Sequence, residues 1–428
     1  MKSIFALRKE KNNPIVTDNI LSLTAKQGVI PYAEKEDVGG NKPKEDLALY
    51  NIAHENDLLV NCMNVVSGAA GVSRYYGAIS PVYYALFPRK NDNVWYYHYI
   101  FRLLPFQRSL VGLGKGIQMH ESEDGTLTTV RMRISMDSLG NVLLPIPPRT
   151  EQDQIVRFLD WKVSLINRLI EEKKKQIDTI KAFRAAMIEN LLQKFPAEET
   201  IRMKQLGTFF KGGGFSRENL VDDKTYPAIL YGDIYTQYEY QTDTVNHHID
   251  AQAYNSSRKI FKGDIVMAGT GETKDEIGKA ILYMGEEIVA VGGDVIAFHP
   301  NEDVNAEYLL YQLYSQNALK HRYINGKGDI IVHIYPIALG NTVINLPNKI
   351  AQRQVVTEID TTIHNANKHI GYVNQSISVL QELKTRLIAD TVTGKIDVRN
   401  IEIPDYEFVG EESQAEEEID VEGSENEE

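Results

Sequence analysis

The stretch "LPIPPRTEQDQIVRFLD" (Leu144–Asp160) returns as "NLPNKIAQRQVVTEID" (Asn345–Asp360), at an offset of 200 residues. Each is a proline stop followed by a helix start. In the first, Thr150 is placed to cap the helix, with Asp153 at the third helical position. The echo spreads outward at the same offset. "LGN" (Leu139–Asn141) meets "LGN" (Leu339–Asn341), then Pro147 meets Pro347, Gln152 meets Gln352, Gln154 meets Gln354, Val156 meets Val356 and Asp160 meets Asp360. Ile170/Ile370, Ile177/Ile377 and Ile188/Ile388 continue it.

Upstream the offset becomes 212. "GAISPVYYALFP" (Gly77–Pro88) aligns with "VAVGGDVIAFHP" (Val289–Pro300), Tyr96 and Tyr99 with Tyr308 and Tyr311, and "GKG" at Gly114–Gly116 with "GKG" at Gly326–Gly328. The difference falls in "IQMHESEDGTLTTVRMR", a longer loop in the first copy. Three blocks in one order predict two copies of one unit, each a mixed domain followed by a long helix.

The helices carry a heptad pattern. In the first copy it runs through Leu159, Val163, Ile166, Ile170, Ile177, Ile180, Met187 and Leu191, with Lys173 and Arg184 on the same seam. Pro196 ends it. About 45 helical residues would span roughly 65 Å. The second runs through Ile359, Ile363, Ile370, Val373, Ile377, Leu380 and Leu387, and Gly394 is a natural stop. Such long one-sided helices need a partner. An antiparallel pair with approximate two-fold symmetry is the simplest; a generic dimerising coiled coil is the bland alternative.

The predicted fold class is α/β, mixed α+β. It comprises a domain over 1–145, a helix over 146–199, a second domain over 200–345, a second helix over 346–399 and an acidic disordered tail over 400–428. Within the domains "PVYYALFP" and "GDVIAFHP" read as strands, and "VWYYHYIFRLL" and "NAEYLLYQLYSQNALKHRY" as helices. "LGTFFKGGGFSRENL" reads as a glycine turn leading to a helix start at Ser216.

Bulk composition narrows the classes. The chain has 428 residues, 43% apolar, and a single cysteine, Cys62, which excludes an intramolecular disulfide and fits a reducing cytoplasm. No signal peptide or membrane span is predicted. The net charge of −13 argues at first against nucleic acid, yet the thirteen acids from Glu402 to Glu428 account for all of it. Residues 1–399 are neutral, and the tail is too polar to bury a core.

Catalytic motifs fail in turn. "AGTGETK" (Ala268–Lys274) and "GLGKGIQ" lack the ending of a phosphate loop. "FKGGGF" (Phe210–Phe215) lacks the partners of an S-adenosylmethionine loop and reads as a tight turn. Asp264, Glu272 and Lys274 match a loose nuclease spacing, but the first copy keeps only Asp57. The histidines show no zinc spacing, and no nucleophile elbow occurs.

Polar and aromatic residues cluster in "NCMNVVSGAAGVSRYYG", "PFQRSLVGLGKGIQMH" and "KHRYINGKGDIIVHIY". Arg and Lys suit phosphates and guanine edges, Asn and Gln suit adenine, and Tyr packs on sugars and bases. Taken one by one, each is equally a packing residue.

Two mixed domains alternating with two similar long helices resemble the specificity subunit of type I restriction–modification systems. The resemblance rests on "LPIPPRTEQDQIVRFLD", its echo, the closing "LIADTVTGKIDVR", "MNVVSGAAGVSRYYGAISPVYYALFPR" and "GDIVMAGTGETKDEIGKA", and covers residues 1–399. It implies two target recognition domains, each reading half of a bipartite site on double-stranded DNA. It implies a helix pair that sets the gap and docks two modification subunits, with two restriction subunits completing the complex. The chain itself would be non-catalytic and prokaryotic-cytoplasmic. S-adenosylmethionine, ATP and Mg²⁺ would belong to the partners, and no cofactor or metal to this chain. On this basis the expected DNA-binding residues are Asn64, Arg74, Lys115 and Gln118 in the first domain and Tyr231, Lys274, Lys327 and His333 in the second. The expected partner-docking residues are Glu151, Gln152 and Gln352. Ala351 stands where the first copy has Glu151, which would make the two docking sites unequal. A coiled-coil adaptor without a DNA role and a self-contained metal-dependent nuclease are the competing readings.

Overall fold

The computed structural model describes residues 1–24, 28–35, 43, 46–114, 118–121, 127–130 and 133–410. It divides into two units, one of Met1–Lys174 with Asn374–Glu428, the other of Lys175–Val373. Two helices of 44 residues each, α4 (Arg149–Leu192) and α10 (Lys349–Val392), contribute one segment apiece to each unit. Among the described residues no helix is long and apolar enough to cross a membrane.

The first unit holds strands β1 (Phe5–Leu7), β2 (Ile20–Thr24), β3 (Gly28–Pro31), β4 (Asn51–Ala53), β5 (Leu58–Asn61), β6 (Ala70–Val72), β7 (Gly77–Ile79) and β8 (Tyr83–Pro88). A hairpin of β9 (Gln118–Glu121) and β10 (Leu127–Val130) and helices α1 (Val94–Phe101), α2 (Leu104–Leu110) and α3 (Met136–Gly140) complete it. One sheet has the order β1-β8-β5-β6, the other β3-β2-β7-β4. Only β2 and β7 pair in parallel within these two sheets. Every residue of β5 is buried, which is why "LLVN" reads as a continuous run and not an alternation.

The second unit repeats this pattern. Its strands are β11 (Glu199–Arg202), β12 (Gly207–Lys211), β13 (Pro227–Ile229), β14 (Gln241–Thr242), β15 (His247–His248), β16 (Lys259–Ile260), β17 (Ile265–Ala268), β18 (Thr270–Gly271), β19 (Ala280–Tyr283), β20 (Val289–Val291), β21 (Val295–Pro300), β22 (Val332–His333) and β23 (Val343–Leu346). Its helices are α5 (Tyr231–Thr236), α6 (Ala251–Ser256), α7 (Ala306–Gln312), α8 (Gln316–Asn325) and α9 (Pro336–Gly340). The sheets run β12-β21-β17-β19-β14 and β15-β13-β20-β16, and β13 pairs with β20 in parallel. β1, β8, β5 and β6 thus answer to β12, β21, β17 and β19, and β3, β2, β7 and β4 to β15, β13, β20 and β16. The repeat read from scattered identities is a repeat of topology.

Each unit grips its helices with the same parts. In the first, Leu159 is fully buried beside Phe158, Ile155 and Val392. In the second, Ile359 is fully buried with Val355, Val356, Ile188 and Leu192. Tyr99 of α1 donates to Asp160 (2.6 Å), and Tyr311 of α7 donates to Asp360 (2.5 Å). Tyr96 reaches the Val392 carbonyl and Tyr308 the Asn345 carbonyl, both at 3.0 Å. Burial pushes the Tyr96 and Tyr308 phenols up to about 12, so both remain donors at any ordinary pH. Within each unit the two segments run antiparallel. In the first, as the chain rises from Gln154 to Asn167 its partner falls from Val398 to Lys384; in the second, as it rises from Arg184 to Lys194 its partner falls from Asn367 to Glu358.

Three local expectations are corrected. α4 starts at Arg149, so the Pro148 carbonyl takes the first amides, and Asp153 binds Asn93 and Arg149 in place of a capping role. "NAEYLLYQLYSQNALKHRY" is two helices, because Ser315 caps a new one. Ser216 opens only a three-residue turn.

Residues 400–410, which net charge assigns to the tail, lie along α4. Ile401 and Ile403 pack on the first core. The Gln154 amide donates to the carbonyls of Val398 (3.0 Å) and Ile401 (2.7 Å). Asn167 donates to those of Val409 and Gly410, and the Val409 amide reaches Ser164. Ile401, Ile403, Tyr406 and Val409 are half-buried while Glu402, Asp405, Glu407 and Phe408 are exposed, so the extended strap has one side against the unit and one toward solvent. Residues 411–428 lie outside the described residues.

Candidate nucleic-acid interface

The second unit brings three of its four predicted DNA-binding residues together. β17 ends at Ala268, and the connection to β19 turns back at Gly278, whose positive φ of 71° suits glycine. Thr270 and Gly271 of this connection pair with β22, so Thr270 sits opposite His333. The Thr270 hydroxyl and His333 Nδ1 are 3.0 Å apart. Lys327 and His333 exchange both backbone hydrogen bonds (2.9 and 2.7 Å), closing a tight loop over Gly328–Val332. Gly328 has φ 114°, and a Cβ there would stand 2.0 Å from the Ile331 carbonyl oxygen. Lys274 lies 4.0 Å from Asp329 at the tip of this loop. Lys274, Lys327 and His333 therefore stand on one rim.

Tyr231 opens α5 one turn before Tyr235, whose hydroxyl lies under Gly271 and donates to the Glu276 carbonyl (3.4 Å). Burial raises the Tyr235 phenol far above its ordinary value, so it stays a donor. The rim also carries Glu272, Asp275, Glu276 and Asp329. Acids and cations are interleaved on this rim, so it carries no excess of positive charge.

The first unit has the same connection between β5 and β6. Asn64 stands on it, exposed, at the start of a turn over Val65–Ser67. The Ile134 amide pins the connection through the Cys62 carbonyl (2.9 Å), as the Ile334 amide pins its counterpart through the Gly269 carbonyl (2.9 Å). Asn64 and Lys274 thus occupy the same connection of the repeat. Arg74 keeps different company: its guanidinium lies 5.1 Å from the Trp95 ring and 5.9 Å from that of Phe408, against the strap. Lys115 lies outside the described residues. Gln118 is on β9, and its side chain is likewise outside them.

The predicted partner-docking glutamines are corrected by burial. Gln152 is fully buried, accepting from the Asn93 amide (2.7 Å) and donating to Asp92 (3.0 Å) and the Pro147 carbonyl (2.9 Å). Gln352 is buried and donates to the Pro347 carbonyl (2.8 Å). Both amides tie the proline stop to the helix start and leave no face for another chain. Glu151 is half-buried, while Ala351 is buried and its amide is capped by Asn348 (2.9 Å).

The nuclease reading loses its first carboxylate. Asp264 is buried, and its oxygens are taken by the Phe261 amide and the His299 ring. It closes the turn before β17, as Asp57 does before β5 through the His54 amide and Arg8. Among the described residues no three His, Cys, Asp or Glu stand together as a metal site.

Sequence reasoning aligned Tyr99 with Tyr311 and Asp160 with Asp360 without joining them. The usable signal was there: two polar residues recurred among apolar neighbours.

The class is now defined: a two-sheet mixed unit, gripped onto a long helix and used twice, with a glycine-braced connection at its rim. Residues 198–375 match the family described as type I restriction modification DNA specificity domain. A solved structure from work on complex assembly and conformational transition of the type I R-M system is similar to this chain, with TM-score 0.58 and 13% identity over 81% of this chain and 84% of its own. Also similar are the HsdS subunit from Thermoanaerobacter tengcongensis (TM-score 0.39, 14% identity, 81% and 83% covered) and the S subunit from M. genitalium (TM-score 0.35, 14%, 91% and 94%). No curated protein matches the sequence.

Proposed function

We propose that the whole chain is a specificity subunit in which each unit reads one half of a bipartite site on duplex DNA. The observation that carries this is the strand order. The first unit repeats the topology of the unit that matches the specificity domain, down to the parallel pairing of β2 with β7, which answers to that of β13 with β20. In this reading the connections at Asn64 and at Lys274 face DNA, and the long helices set the gap and dock two modification subunits. Two restriction subunits complete the cleaving complex. S-adenosylmethionine, ATP and Mg²⁺ are then needs of those partners, and the setting is the prokaryotic cytoplasm. The chain holds no chemistry of its own; it supplies the address.

Co-expression with the modification subunit of the same locus tests this. Mapping methylated adenines across the host genome should return one two-part motif. Absence of methylation with a modification subunit that is active on another specificity chain refutes the proposal. In the assembled complex, Lys327→Ala should weaken binding about equally across sequences and lower the log–log salt slope by about 1, as expected for one lost phosphate contact. A gel-shift series in rising salt measures it.

A further inference from the structure

Two hydrogen-bonded junctions on the long helices are images of each other under the 200-residue offset. In the first unit Asn167 of α4 meets Lys384 of α10, with Nζ 3.4 Å from Oδ1. In the second, Asn367 of α10 meets Arg184 of α4, with Nη1 2.5 Å from Oδ1. Asn167 answers to Asn367, and Arg184 to Lys384. Each asparagine is used in the same way: its carbonyl oxygen takes the cation of the opposite helix, and its amide nitrogen donates to a third segment. In the first unit that segment is the strap, through the carbonyls of Val409 (3.1 Å) and Gly410 (3.0 Å). In the second it is Glu239 (3.1 Å), which also pairs with Arg184 Nη2. Asn167 and Arg184 are both buried, and Arg184 lies 5.3 Å from the Tyr240 ring.

Apart from Lys173, these junctions sit in a seam built mostly of Ile, Val, Leu and Met. An apolar heptad seam matches itself nearly as well after a slip of seven residues, so apolar contact alone selects the register weakly. A slip would set Arg184 or Lys384 against aliphatic side chains and strip Asn167 of its partners. The cost falls on the slipped states through the buried member of each pair, Asn167 and Arg184, while Lys384 is half-buried and Asn367 exposed. We propose that Asn167–Lys384 and Arg184–Asn367 are register pins for the helix pair, and that they thereby determine the number of base pairs between the two half-sites. The second step rests on the function proposed above. A one-heptad slip is about 10 Å of helix, or about three base pairs of duplex.

The test removes both members of a pin and leaves an apolar seam: Arg184→Leu with Asn367→Leu, and Asn167→Leu with Lys384→Leu. Such replacements should leave the melting temperature equal or higher, whereas a merely structural pair would lower it. Spin labels then report register within each unit, at Lys181→Cys and Lys368→Cys for the second and at Glu172→Cys and Glu382→Cys for the first, in a Cys62→Ser background. The parent should give one narrow distance and each pin variant a second population. A single unchanged distance in both pin variants overturns the pins. Should a double variant lose helix content, Asn167→Ala and Asn367→Ala carry the same measurement. The parent's methylated motif should have one spacer length, and the pin variants should add another. Slipped distances with an unchanged spacer overturn the link to DNA. A parent that methylates nothing sinks the specificity reading, and the spin labels still decide the pins.

Discussion

Arg322→Ala should loosen the second unit by about 2–4 kcal/mol and abolish recognition of one half-site while sparing the other. Arg322 is 3% exposed and donates to two backbone carbonyls, those of Ile277 (3.2 Å) and Leu313 (2.6 Å). Burial pulls its pKa below the ordinary guanidinium value, a sign that the charge is held at a cost. The side chain staples the β17–β19 connection, which carries Lys274, to α8, which leads into Lys327. Hydrogen bonds from a charged donor contribute about 1.5–3 kcal/mol each, and relief of the buried charge offsets part of that loss. Gly278 packs against the same side chain, so the gap left by alanine opens beside the turn. Arg322→Met, which keeps volume and removes charge, should lose less. Denaturant unfolding gives the stability change, and faster amide exchange confined to residues 269–278 would show that the connection is released. A variant as stable as the parent would mean the staple is idle.

Leu159→Ala and Ile359→Ala should each cost about 2–5 kcal/mol, the range for a fully buried aliphatic cut to alanine. Both are fully buried at equivalent places on the long helices, each beside the aspartate that a domain tyrosine holds. Because the two residues belong to different cores, each substitution should lower the unfolding transition of its own unit. The exposed neighbour Arg157 provides the control, and Arg157→Ala should stay within about 0.5 kcal/mol. Scanning calorimetry of the full chain reads both transitions. Equal shifts of both by either substitution would show that the units do not unfold separately.

Much of the architecture was legible because it was written twice. Offsets of 200 and 212 located both units, both helices and the strands β8 and β21, since heptads and strand-type runs are local signals. The helix starts were legible to within a residue or two, but the role of Gln152 was not. A glutamine beside a proline stop looks like a surface residue until tertiary packing shows which groups it must satisfy. The strap was missed because charge was counted over a whole segment, while its apolar side depends on alternation. At the rim, Lys274, Lys327 and His333 stand together because β18 pairs with β22 and Lys327 bridges to His333. Arg74 did not, because exposure in sequence carries no direction in space.

The central claim is that two separate readers share one chain. The most direct measurement exchanges residues 1–145 for the corresponding domain of a specificity chain with a known, different target. Methylated adenines are then mapped in a host that carries the modification subunit. The prediction is a hybrid motif: one half changed to that of the donor, the other half and the spacer as in the parent. A motif altered in both halves, or in neither, would contradict the account.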